Sequence, residues 1–183
     1  TLDDTLSLHD ALPICFNMIC CCTGHRPQGF PWAYNVDKQK HQNYKKELLS
    51  IIEYLIKEKD VSEFISGMAL GTDSDFAECV LTLRRKYKYI RLRCAIPCRD
   101  QTRLWNKKDV LRYEKILKRA DCSVVLSEHY TQSCMFERNR YMVDNSDYVL
   151  AVWNGEKKGG TWYTIDYARK KNKPVEVLDL NKI

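Results

Sequence analysis

The chain predicts an α/β protein with a mostly parallel sheet flanked by helices. Three observations carry that expectation. Short apolar segments alternate along the chain with longer amphipathic ones. The apolar segments are hydrophobic throughout rather than at every second residue, as strands covered on both faces are. Three small, polar loops each stand where such a strand hands over to a helix: Thr23-Gly24-His25-Arg26-Pro27, Ser66-Gly67-Met68-Ala69-Leu70-Gly71-Thr72-Asp73 and Gly159-Gly160-Thr161.

Met18 to Thr23 reads as a short buried strand. From about Asp37 to Lys59, the positions Tyr44, Leu48, Ile51, Ile52, Leu55 and Ile56 form the stripe of an amphipathic helix. Val61 to Ser66 is a second strand. Asp73 to about Tyr87 is the next helix, with Phe76, Ala77, Val80 and Leu83 inward and Thr72 and Asp73 as cap candidates. Tyr89 to Ile96 is a third strand, ended by Pro97. A helix from about Thr102 to Ala120 leads to a fourth strand, Cys122 to Ser127. Phe136 to Asp144 is a short helix and Tyr148 to Trp153 a fifth strand. Thr161 to Lys171 is the last helix, and Val175 to Leu178 closes the sheet.

Within 183 residues, 44% hydrophobic content suits a globular fold with a real core, and no run approaches the roughly 20 apolar residues of a membrane span. Thirty basic against 24 acidic side chains give a net charge of +6, which favours an anionic ligand without singling out nucleic acid. The densest basic stretch, Arg84 to Arg93, reads first as solvated surface. The nine cysteines form no paired metal motif, and consecutive Cys20, Cys21 and Cys22 on a strand point to opposite faces. Reduced core thiols in a cytoplasmic protein are the expectation, with no metal and no membrane partner. Residues 1–17 read as a non-native or disordered extension, with Met18 the native start and 18–183 one domain. Thr1 to about Pro13 lacks the pattern of a signal peptide and resembles a sequence-assembly artefact more than part of a fold.

In a parallel sheet the three loops open together at the carboxyl ends of the strands, where such folds bind ligands. Glycine lets backbone N–H groups approach an anion, and a helix N-terminus adds partial positive charge. The ligand expected is therefore a nucleotide or sugar phosphate. Ser66, Gly67, Gly71 and Thr72 are read as a phosphate loop, although it is neither a Walker loop nor a dinucleotide fingerprint. Gly159, Gly160 and Thr161 repeat the idea. Thr23, Gly24, His25 and Arg26 offer a hydroxyl, a flexible backbone, an imidazole and a guanidinium able to grip phosphate. Asp73 holds a ribose hydroxyl, acts as a base or caps its helix; Asp73 and His25 are the catalytic candidates. Arg138 and Asn139 either reach the crevice or form an exposed helix start. Trp153, Asn154, Trp162 and Tyr163 offer stacking area for a base, with core packing the first expectation for Trp153.

The order of Thr-Gly-His-Arg-Pro, Ser-Gly-Met-Ala-Leu-Gly-Thr-Asp, Arg-Asn-Arg-Tyr-Met-Val-Asp and Trp-Asn-Gly…Gly-Gly-Thr resembles the YpsA-like family of the SLOG superfamily, from about Met18 onward. The resemblance implies a Rossmann-like three-layer sandwich and a pocket for a nucleotide-derived ligand, NAD or an ADP-ribose-like molecule. The superfamily includes the Lonely-Guy phosphoribohydrolases, whose signature looks like Pro-Gly-Gly-x-Gly-Thr-x-x-Glu with a catalytic Glu. Here Thr164 stands at the equivalent spacing and the leading Pro is missing. Asp166 is displaced by about 200° around the helix from Thr164. The first reading is thus a cytoplasmic sensor or accessory module, with a small nucleotide derivative as partner and phosphate on the second and third loops. Arg26 is its charge partner and Asp73 sits near ribose. A nucleotide or N-ribosyl hydrolase is the alternative. Nucleic-acid binding comes third, since DNA-processing protein A carries a related domain; a homo-oligomer is also admitted.

Overall fold

In chain order the strands are β1 (Met18–Gly24), β2 (Val61–Ser66), β3 (Arg91–Ile96), β4 (Cys122–Val125), β5 (Tyr148–Trp153) and β6 (Val175–Asp179). The helices between them are α1 (Lys38–Glu58), α2 (Thr72–Leu83), α3 (Lys107–Leu117), α4 (Cys134–Asp144) and α5 (Gly159–Lys170). This computed structural model describes residues 17–33 and 37–183, so the expectation placed on the leading segment lies outside the described residues, Asn17 apart. Among the described residues the strands form one sheet in the order β4-β3-β2-β1-β5-β6. Every neighbouring pair is parallel. The expected α/β class is therefore observed, as a Rossmann-like three-layer sandwich.

The cysteine triplet shows how the layers arise. Cys20 and Cys22 face one core together with Leu48, Ile52 and Phe76 from α1 and α2. Cys21 faces the other, against Met142 and Val143 of α4 and Ala168 of α5. A strand this deep has no polar face, so small thiols serve as apolar filler. Burial pushes the Cys21 thiol up to about 12, out of the reactive range.

Helix α1 buries Tyr44, Leu48, Ile52, Leu55 and Ile56. Each of the four aliphatic side chains contributes roughly 1.5–3 kcal/mol by leaving water. Asp37 caps the helix by accepting from the N–H groups of Gln39 and Lys40, at 2.9 and 3.1 Å. Asp75, buried in the first turn of α2, accepts from Arg112 of α3 at 2.7 Å and pairs with Lys45 of α1 at 3.3 Å. One carboxylate thus ties three helices over the same face of the sheet.

Several boundaries differ from expectation for local reasons. Helix α3 begins only at Lys107, because Asn106 caps it by accepting from the Asp109 N–H at 3.0 Å and the preceding residues turn instead. Gly71, not Thr72 or Asp73, caps α2, and it does so without a side chain. Half of the six basic side chains in the stretch Arg84 to Arg93 are ion-paired: Arg84 with Asp121, Lys86 with Glu53 and Arg93 with Glu63. No helix among the described residues is long and apolar enough to cross a membrane.

Candidate functional site

The strand order reverses at β1, which has β2 on one side and β5 on the other. Such a reversal leaves a crevice at the carboxyl ends of the strands. At the opposite, amino end Asp147 ties β5 to β1: its carboxylate accepts from the Ile19 N–H at 2.9 Å, and its own N–H donates to the Ile19 carbonyl at 2.7 Å. Gly24 then lies opposite Val152, and the loop after β1 leaves the sheet beside Trp153 and Asn154.

A cavity of about 310 Å³ opens at this point. Thr23, Gly24, His25 and Arg26 line it from the end of β1, and Ala69 and Asp73 from the second loop. Helix α4 contributes Arg138 and Asn139, and the start of α5 contributes Gly160 and Thr161. Most of the expected site residues are thereby gathered around one space. Arg138 and Asn139 are buried parts of α4, not an exposed helix start.

At its floor Arg138 and Asp73 form a buried ion pair, Nη1 to Oδ2, at 3.0 Å. The same Nη1 donates a short bond to the Gly67 carbonyl, and the Ala69 N–H donates to Asp73 Oδ2 at 3.1 Å. Burial pushes the Asp73 carboxyl above its ordinary range, against the pull of the Arg138 charge. Arg138 Nε is buried and meets no acceptor among the described residues. Part of this guanidinium is spent on the protein and part is not.

The other polar groups of the cavity are unspent. Thr23, Asn139 and Thr161 are buried, yet their side chains make no hydrogen bond among the described residues. Arg26 is exposed at the rim. No side chain caps α5, so its first N–H groups face outward with the positive end of the helix dipole. Gly159 has φ +74, and a side chain there would meet nothing within 4 Å. His25 is held below its usual pKa of 6.5 by burial, and its Nε2 accepts from the Asn154 N–H at 3.3 Å. That bond places the imidazole proton on Nδ1.

Ser66, Gly67, Gly71, Thr72 and Gly159 do not line this cavity. The donors of the second loop are engaged internally. Ser66 Oγ donates to the Asp73 carbonyl at 2.8 Å, and the Met68 N–H donates to Ser66 Oγ at 3.2 Å. The Thr72 N–H donates to the His25 carbonyl at 3.1 Å. Its glycines make room for protein atoms: a Cβ on Gly67 would sit 2.6 Å from Arg138 Cζ, and one on Gly71 would sit 2.7 Å from the His25 carbonyl oxygen. Trp153 is not a core residue. It stacks on Trp162 with centroids 5.5 Å apart, half-buried beside the third loop. Sequence reasoning missed Ala69, Met135, Phe136 and Met142 of the lining. They are apolar, and only the phase of α4, with Arg138 inward, marks the last three.

The profile of YpsA, the YspA SLOG family, matches residues 20–183, which include every residue of this cavity. The chain belongs to that family. It is 33% identical to the SPbeta prophage-derived protein YoqJ of Bacillus subtilis (strain 168), over 69% of this chain and 80% of the relative. It is 30% identical to a UPF0398 protein of Bacillus pumilus (strain SAFR-032), over 82% of this chain and 81% of the relative. A UPF0398 protein of Bacillus subtilis (strain 168), YpsA, is 28% identical over 58% of this chain and 60% of the relative.

In this YpsA-family chain Thr164, where the Lonely-Guy signature carries its glutamate, is fully buried and donates to the Gly160 carbonyl at 2.8 Å. Asp166 pairs with Lys170 at 2.5 Å and does not line the cavity. Asp73 is the one carboxylate in the lining. Among the described residues no cluster of His, Cys, Asp and Glu is arranged to hold a metal ion.

Proposed function

We propose that this protein is a cytoplasmic nucleotide-binding module of the YpsA family, which takes an NAD- or ADP-ribose-like ligand and acts as a sensor or accessory protein. The observation that carries the reading is the set of unspent polar groups at the switch point. Thr23, Asn139 and Thr161 line the cavity with side-chain polar groups that bond to no described residue, and they converge there with Arg26, Arg138 and the uncapped α5. A phosphate accepts from all of these donor types at once. Binding is favoured over hydrolysis because the lone carboxylate already serves Arg138 and the Ala69 N–H. Nucleic acid ranks lower, since half of the six basic side chains in the densest stretch are already paired with neighbouring acids.

Thermal unfolding against NAD, ADP-ribose, AMP and cyclic dinucleotides tests this, with each mixture then assayed by mass spectrometry. The expected result is a saturable rise in melting temperature with intact ligand, because native-state binding raises apparent stability. A new product would establish turnover instead. Absence of any shift would overturn the reading.

A further inference from the structure

A second cavity of about 490 Å³ adjoins the first, and Arg26 and Met135 stand in the walls of both. It is built by different parts of the chain: the turns between β3 and α3 supply Gln101, Leu104 and Trp105, and the loop after β4 supplies Tyr130. Its character is also different. Leu104 is 90% and Tyr130 60% exposed, while Trp105 is half-buried and braced edge-on against Tyr113 at 5.6 Å. Large apolar side chains left in water around a concavity mark a place where something apolar binds.

One buried polar group narrows the chemistry. Gln101 is 91% buried, its relative exposure being 9%. Its Nε2 donates to the Met68 carbonyl at 3.0 Å, which fixes the orientation of the amide. Its Oε1 then meets no donor among the described residues, and neither does Asp100 Oδ1 in the same wall. The first cavity lacks donors' partners and the second lacks acceptors' partners. An anion suits the former, and a flat ring carrying N–H groups suits the latter.

We infer that the second cavity is the base subsite of the same binding site: it takes a purine-like ring with its N–H edge toward Gln101, while the phosphate of the same ligand passes Arg26 into the first cavity. The ring packs against Trp105 and Tyr130. This inference rests on the proposed nucleotide reading and extends it from an anion site to a two-part site. It also gives Arg26 a definite place, at the junction where sugar and phosphate join.

Calorimetric titration of the full chain with two probes separates the parts. ADP-ribose carries both halves, and ribose 5-phosphate carries only the anionic one. Expected is tighter binding of ADP-ribose than of ribose 5-phosphate. Tyr130→Ala, at an exposed position that folding does not need, and Gln101→Leu should each weaken ADP-ribose by roughly tenfold and leave ribose 5-phosphate unchanged. Unaltered ADP-ribose affinity in both variants, with Arg26→Ala still weakening it, overturns the base subsite and leaves the anion site standing. Equal weakening of both probes likewise overturns it, because the residues then act through the fold. If the unaltered protein binds neither probe, the functional reading falls and this inference with it.

Discussion

The second and third glycine loops look alike as sequence and are opposites as structure. In the second, glycines are demanded by the protein itself: Gly67 lies against Arg138 and Gly71 against the His25 backbone. The acids Asp73 and Asp75 already occupy the first turn of the helix that follows. In the third, a side chain on Gly159 would meet nothing and one on Gly160 only Asn139, the helix has no side-chain cap and no acid in its first turn, and the Thr161 side chain has no hydrogen-bond partner among the described residues. An anion brought to the second loop would meet carboxylates and engaged amides; at the third it meets free donors. The second loop is a scaffold for Arg138, and the third is where a ligand has something to gain.

The largest expected effect tests the scaffold. Arg138→Ala leaves Asp73 buried without its cation, and removing one partner of a buried pair costs about 3–5 kcal/mol. Urea unfolding should show that loss. The double variant Asp73→Asn/Arg138→Met should recover much of it, since no orphan charge remains. A cost under about 1 kcal/mol for Arg138→Ala would mean the pair organises nothing.

A pair of glycine substitutions sharpens the contrast. Gly67→Ala drives a methyl into the Arg138 guanidinium and to 2.7 Å from Asp73 Oδ2. Overpacking of that kind costs about 1–3 kcal/mol. Gly160→Ala meets only Asn139 Nδ2, at 3.8 Å, and should change stability by less than about 1 kcal/mol while obstructing ligand entry. Similar melting temperatures for the two variants would erase the distinction between the loops.

That distinction marks where the sequence stops being legible. Strand β2 and strand β5 were readable to the residue, because short apolar runs between polar breaks have one plausible fate in an α/β chain. Thr23 to Arg26 and Gly160-Thr161 were readable as neighbours of one crevice because each lies at or after the carboxyl end of a strand. Asp73 and Arg138 were each visible, but their pairing across 65 residues was not, since tertiary contact leaves no local signal. Without that pairing, a glycine needed for packing reads the same as one needed for a ligand. The apolar lining from α4 carried no chemical signal at all.

Arg26 separates binding from folding. It is exposed and its side chain makes no hydrogen bond among the described residues, so Arg26→Ala should shift stability by no more than about 0.5 kcal/mol. Loss of a charge-assisted contact to phosphate should nevertheless weaken ligand by about 1.5–3 kcal/mol in a calorimetric titration. Undiminished affinity would move the phosphate away from the rim.

The smallest effect concerns the joint between β1 and β5, which sets the two loops' relative position. His25 is held below 6.5 by burial, and its Nε2 accepts from Asn154, so only the neutral ring keeps that bond. In the window between the folded value and 6.5 the unfolded chain binds more protons than the folded one, so stability falls as the solution is acidified. The contribution is fully present above 6.5 and lost below the folded value. His25→Gln keeps an acceptor but cannot titrate, and should remove this component of the acid slope measured by urea unfolding. Direct NMR titration of the ring supplies the sign: a midpoint at or above 6.5 would contradict the buried, neutral imidazole and with it the fixed joint.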